Sequence, residues 1–282
     1  MVKYFKISTL SSLFIISLLL TCKVFAAAPK PSTSKAPEEQ VQVGPILPKE
    51  PIVLASDYNC PFACIPNTES EGFLVEVAKK ILEKKGIKVI FKLMKRTEAI
   101  RAVAEGSVDG ILGVSKDEAS GVVFPSVSQS FVHTAVFTLA DDFWSYDGAP
   151  SLKNKIIGTI DGHPYPLEFR TFLYSNYLST PANFVFSSEK NSIADVVTKL
   201  QNKAIEIYVG DEFALNYYIN QNNITNIKNC GYVSPLKQNI YIAFSEKKEW
   251  AKDLAQILSG GTLDLKISNE YRELTLKYQL PE

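Results

Sequence analysis

The chain has 282 residues, with 30 Lys and Arg set against 30 Asp and Glu and a hydrophobic share of 46%. Without a basic excess there is nothing to neutralise a phosphate backbone, which argues against nucleic-acid binding. The length suffices for one large domain or two lobes.

Residues 1–26 carry Lys3 and Lys6 ahead of a mostly apolar stretch from Leu10 to Leu20, then V-F-A. This is the pattern of an export leader cut after Ala26, and the apolar core is shorter than the ~20 residues of a membrane span. LLTC at residues 19–22 leaves lipid attachment at Cys22 as the alternative, although Thr21 is bulkier than the residue usual there. Cleavage removes Lys3, Lys6 and Lys23 and leaves 27 basic against 30 acidic residues. Export implies oxidising conditions. Residues 27–51, rich in Pro, Ser, Ala and charge, read as a flexible linker.

The folded part begins with PIVLAS, a buried strand, followed by the loop DYNCPFAC. Cys60 and Cys64 supply half of a zinc site, with both histidines far away in sequence. Their spacing is not the C-x-x-C of a thioredoxin-like centre. A disulfide clip is the preferred reading, leaving Cys230 unpaired.

EGFLVEVAKKILEKKG, residues 71–86, sets Phe73, Val77, Ile81 and Leu82 on one helical stripe and ends at Gly86. IKVIFKLM is the next strand. TEAIRAVAEG is a helix with Ile100, Val103 and Ala104 on its apolar side, and VDGILGVS is a third strand. The β-α-β-α-β order implies parallel strands with helices on their faces.

From FPSVSQSF to ADDFW the pattern is extended, leading out of the first unit. SLKNKIIGTIDGHPYP restarts it with a turn, a strand and a Gly-His-Pro turn before the helix LEFRTFLYSNYL. NSIADVVTKLQNKAIEIYVGDEFALNYYI reads helix, strand, helix. NIYIAFSEK is a returning strand, and EWAKDLAQILSGG and SNEYRELTLKYQL close the chain as helices. The expected fold is α/β with two lobes, the second inserted in the first across a two-strand hinge. Lobe 1 takes residues 52–136 plus 239–282, and lobe 2 takes 137–238.

In this order the segments resemble the periplasmic solute-binding proteins of family 3, the polar amino acid-binding class that serves ATP-binding cassette importers. LASDYNCPF is similar to the family's opening strand and Y-x-P-F loop, EGFLVEVAKKILEKKGIKVIF to its E-G-F helix, and AVAEGSVDGILGV to its L-x-x-G-x-x-D segment. SLKNKIIGTIDGHPY and IYVGDEFALNYYI resemble the second-lobe opening and its strand-Asp-helix junction. The resemblance implies a Venus-flytrap closure over a small polar ligand, importer membrane subunits as partners, a monomer, and no cofactor or metal.

It also implies site residues. Asp211, where a strand hands over to a helix, matches the acid that commonly accepts a ligand ammonium group; a helix N-cap is its structural alternative. Gly162, His163 and Tyr165 form the turn before the second-lobe helix, where free N–H groups and the helix dipole favour an anion or an acceptor. Tyr58 and Phe62 are expected as aromatic walls of the cleft, with core packing as the alternative. Arg96 and Glu98 stand at another cleft-facing position or on a solvated surface. The family's T-x-x-R, whose Arg clamps the α-carboxylate, is missing: GVSKDEASGVVFP retains Ser115 but has no arginine, and Glu118 stands near the expected place. The expected ligand is therefore a small polar one, amino acid-like or bearing an amine or other cationic group, for which a free carboxylate is not required. A dehydratase-type enzyme on the same fold, using Glu98, His163 or Asp211 as acid or base, and a stand-alone ligand sensor are the competing functions.

Overall fold

In the computed structural model, which describes residues 44–188 and 192–281, eleven strands divide between two sheets. The leader and most of the linker, Cys22 included, lie outside the described residues.

The first sheet is built on β1 (Ile52–Ser56), β2 (Val89–Leu93) and β3 (Gly110–Val114), which pair in parallel in the order β2-β1-β3. Two helices connect them: α1 (Phe73–Leu82), closed by a 3-10 turn and Gly86, and α2 (Arg96–Glu105), closed by Gly106. Both glycines are left-handed, φ 79° and 81°, where a Cβ would be strained. On α2 the deepest residues are Ala99, Ala102 and Val103, while the expected Ile100 and Ala104 are half-buried. The chain then forms β4 (Val122–Val123) and β5 (Ser130–Val132) at the sheet's far side.

The second sheet starts one residue later with β6 (Thr134–Leu139), so the expected boundary after residue 136 falls inside a strand. It adds β7 (Ile157–Ile160), α3 (Leu167–Tyr177), β8 (Phe184–Ser187), α4 (Ser192–Gln201), β9 (Ile207–Asp211), α5 (Glu212–Gln221) and β10 (Ile227–Tyr232), in the order β10-β6-β9-β7-β8. Residues 233–237 lead back to β11 (Gln238–Ser245), which pairs antiparallel with β3 in the first sheet. The two crossings meet: His133, between β5 and β6, has its Nε2 3.0 Å from the Ser234 carbonyl oxygen. This is the expected α/β architecture of two lobes, one inserted in the other.

Apolar residues cover both faces of each sheet, as parallel strands require. α1, α6 (Ala251–Lys266) and α7 (Asn269–Lys277) pack on one face of the first sheet through Leu74, Leu254, Leu258 and Tyr278, and α2 packs on the other. In the second sheet α4 and α5 cover the face of Phe137 and Tyr208, and Phe169 of α3 covers the face of Ile157 and Val209. α6 does not stop at Gly260 and Gly261 as their composition suggests; it runs on to Lys266. A Cβ on Gly261 would sit 2.3 Å from Ile81 Cγ2, so this glycine is the notch into which α1 packs.

Candidate functional site

β1 ends in Ser56, and the chain turns through Asp57 and Tyr58 into the cysteine loop. The Asn59 N–H donates to the Ala63 carbonyl at 2.8 Å, and a disulfide joins Cys60 to Cys64 across the same turn. The loop is held against α1, with the Cys64 N–H donating to the Glu71 carbonyl at 2.7 Å. At Gly72, φ 117°, a Cβ would lie 2.5 Å from the Phe62 carbonyl oxygen, so only glycine lets the helix start this close. The two cysteines are thus a clip. Among the described residues no group of three His, Cys, Asp or Glu side chains could hold a metal.

The loops after β1, β3 and β7 converge. Arg96, at the start of α2, reaches back over the strand ends and is nearly buried, its side chain 10% exposed. Its Nε and Nη2 donate to the two oxygens of Glu118 at 2.5 and 2.8 Å, its Nη1 to Asp57 Oδ1 at 3.0 Å and Nη2 also to the Gly113 carbonyl at 2.8 Å. Burial opposes the charge, but Asp57 and Glu118 outweigh it and hold the guanidinium protonated. Two carboxylates around one guanidinium leave the cluster with a net negative charge. Ser115, buried beside it, donates its hydroxyl to Asp117 Oδ1 at 2.7 Å, and Asp117 lies 3.7 Å from Arg170 Nη2 on α3 of the other lobe.

His163, in the turn after β7, faces this cluster. Burial pushes its pKa down to about 4, the Arg96 charge pushes the same way and Asp57 opposes them. Its imidazole is neutral near pH 7, and Nε2 is buried without a hydrogen-bond partner. Gly162, φ 73°, makes the turn and is exposed.

Asp211 ends β9 and caps α5. One carboxylate oxygen accepts the Phe213 N–H at 3.3 Å and the His133 N–H at 3.4 Å, while the other is buried without a partner. Burial without a counter-charge raises its pKa to about 7, against the pull of the Phe213, His133 and Ala214 N–H groups. Through His133, Asp211 is tied to both chain crossings. The His133 ring stacks on Tyr232 at 4.0 Å, and its Nδ1 lies 3.5 Å from Glu212 Oε2.

The arrangement brings together Arg96, Ser115 and His163 of the sequence-expected set, with Asp211 on the neighbouring strand end. Phe62 instead lies in the core, 1% exposed, with its ring edge-on to Phe213 at 6.4 Å. Tyr165 is also structural: it accepts the Ile160 N–H at 2.8 Å and donates to the Val209 carbonyl at 3.1 Å, bracing β7 against β9. Glu98 is exposed on α2. Sequence reasoning missed Asp57, which directly precedes Tyr58, and Tyr217 and Tyr218. The signal for the tyrosines was their place six and seven residues after Asp211, on the same side of α5 as Ala214.

The sequence pattern of the bacterial extracellular solute-binding proteins, family 3, matches residues 52–281. No curated protein matches the chain. Among solved structures it is similar to a histidine kinase sensor domain with similarity to periplasmic binding proteins, with 21% identity, a TM-score of 0.64, and coverage of 81% of this chain and 95% of that one. It is similar to the substrate-binding protein of an amino acid ABC transporter, with 19% identity, a TM-score of 0.61 and coverage of 81% and 99%. A third is an ancestral arginine-binding protein bound to glutamine, with 19% identity, a TM-score of 0.62 and coverage of 80% and 96%. At these identities the likenesses establish the fold alone.

Proposed function

Because the chain belongs to the bacterial extracellular solute-binding proteins of family 3, we propose that it captures a small amine-bearing solute between its lobes and delivers it to an ATP-binding cassette importer. The protein acts in the periplasm, as a monomer, by binding rather than catalysis. The observation that carries the ligand class is the state of Arg96. Its bidentate face is already taken by Glu118 and its remaining edge by Asp57, so an incoming α-carboxylate meets no free guanidinium. Asp211, in contrast, keeps one buried oxygen without a partner, and a buried carboxylate in that state gains most from an ammonium group.

Closure follows from the same electrostatics. A cation between the lobes gives the unpartnered oxygen of Asp211 a partner, and only ligand contacts that are better in the closed state shift the balance towards it. The amino acid transporter protein and the arginine-binding protein among the similar structures support a solute of this size. The similarity to a sensor domain supports the same capture step with a different membrane partner.

The test is calorimetric titration of the purified protein with alkylamines, diamines, neutral amino acids and organic acids. Amines are expected to bind, and Asp211→Asn to abolish the binding. Organic acids or neutral amino acids binding more tightly than amines would overturn the ligand class. Uptake of the bound compound, lost on deletion of the protein and restored by re-expression, distinguishes delivery from sensing.

A further inference from the structure

A second feature lies beside the acidic cluster. A groove of about 500 Å³ runs between the cysteine loop and α5, a volume ordinary for a small-molecule site. Tyr58 lines it from the first lobe, Tyr217 and Tyr218 from the second, with the Cys60–Cys64 disulfide behind them. The three phenols are near neighbours: Tyr58 titrates above its ordinary range, chiefly through burial and then through Tyr217 and Tyr218. Thr68, Ser70, Gln221 and Asn222 add hydrogen-bonding groups, and among the described residues no charged side chain lines the groove.

Its composition is opposite to that of the acidic cluster, yet the chain joins the two at both walls. Tyr58 directly follows Asp57, the partner of Arg96. On the other wall Asp211, Ala214, Tyr217 and Tyr218, then Gln221 and Asn222, recur every three to four residues, so one side of α5 leads from the carboxylate into the groove. At a rise of about 1.5 Å per residue, Tyr217 lies roughly 9 Å along the helix from Asp211. Aromatic faces attract cations too, but such contacts are weaker than a charge-assisted hydrogen bond. A ligand cation therefore settles on the acids, leaving the groove for an uncharged portion of the same molecule. Three phenol faces with amide and hydroxyl groups around them suit a flat, neutral ring.

We infer that the solute is an elongated amine, with its ammonium end at the Asp211 side of the cleft and an uncharged, ring-bearing segment between Tyr58 and the Tyr217–Tyr218 pair. This rests on the amine reading above and adds a second recognition point to it. Because the walls belong to different lobes, the ring is gripped only when they are together, so the groove contributes to closure as well as to selectivity.

The test compares butylamine with 4-phenylbutylamine by calorimetry on the wild type, Tyr217→Ala, Tyr218→Ala, Tyr217→Phe and Asp211→Asn, with thermal unfolding as the folding control. The phenyl compound is expected to bind at least tenfold more tightly than butylamine. Tyr217→Ala or Tyr218→Ala should erase that advantage while leaving butylamine affinity in place, Tyr217→Phe should keep it, and Asp211→Asn should weaken both amines. Equal affinities for the two amines, or an advantage that survives both alanine variants, would refute the groove and leave the amine reading standing. Failure of both amines to bind the wild type would remove the amine reading itself, and the inference with it.

Discussion

Arg96 and Glu118 meet as a two-pronged pair, Nε to Oε1 at 2.5 Å and Nη2 to Oε2 at 2.8 Å, so the carboxylate that a ligand would bring is supplied by the chain. Glu118→Ala should cost about 3 kcal/mol, the usual order for removing one partner of a nearly buried ion pair. It should also create a carboxylate site. Thermal unfolding with increasing acetate is expected to stabilise Glu118→Ala and to leave the wild type unmoved; equal stabilisation of the two would show that the guanidinium was accessible all along.

Asp211 makes amine affinity depend on pH. Its folded pKa of about 7 stands above the ordinary 3.8 because of burial, so the carboxylate that an ammonium requires is a minority form below neutrality. Affinity should rise roughly tenfold per pH unit up to about pH 7 and level off above it. For the unliganded protein the sign reverses. The folded state holds the proton that the unfolded state has lost, so stability declines as pH rises from about 4 to 7, by at most about 4 kcal/mol. Asp211→Asn should flatten both curves, which calorimetry and urea unfolding at pH 5 to 9 will read.

The Cys60–Cys64 clip closes a span with a sequence separation of 4, and loop-closure entropy for so short a span is worth about 2 kcal/mol. Unfolding free energies of the double serine variant and of the reduced wild type, from urea titration, should fall together by that amount. A drop in only one of them would mean that the serines, not the missing bond, are responsible.

Neighbouring glycines of α6 should respond in opposite directions. A Cβ on Gly260 meets nothing within 4 Å, whereas one on Gly261 comes within 2.3 Å of Ile81 Cγ2. Gly260→Ala should stabilise by roughly 1 kcal/mol through helix propensity. Gly261→Ala should destabilise by ~1–3 kcal/mol through overpacking, reduced by the same propensity gain. Denaturant unfolding of the two variants side by side provides the comparison.

Those glycines also show where sequence reading reached its limit. The first lobe was legible because its alternation of apolar stripes and glycine stops is local: Gly86 and Gly106 end helices as read. Gly260 and Gly261 look the same in sequence, but what sets Gly261 apart is its contact with Ile81 of α1, 180 residues earlier in the chain. β10 escaped notice for a related reason. Its residues Lys228, Asn229 and Cys230 carry no apolar alternation, and a register shift between Asn229 and Gly231 breaks its period. In the site, Arg96 and Asp211 were legible as positions at strand and helix ends. That Asp57 and Glu118 would occupy the guanidinium was not, because the three come from separate stretches of the chain, two loops and a helix start.

The placement of β11 has a consequence for how the protein is made. β3 finds its antiparallel neighbour only in Gln238–Ser245, more than 120 residues downstream, and the face over β1 and β3 is sealed by α6 and α7, the last helices of the chain. A nascent chain that has emerged as far as residue 115 possesses three strands and two helices but lacks the layer that would bury Leu54, Leu74 and Leu112. Its first lobe remains open until almost the last residue is out, while the continuous second lobe has all of its strands some fifty residues sooner. Folding is therefore expected to run from the middle outwards, with a slow, long-range step at the end, and a chain stalled before its last helices stays loose enough to be threaded.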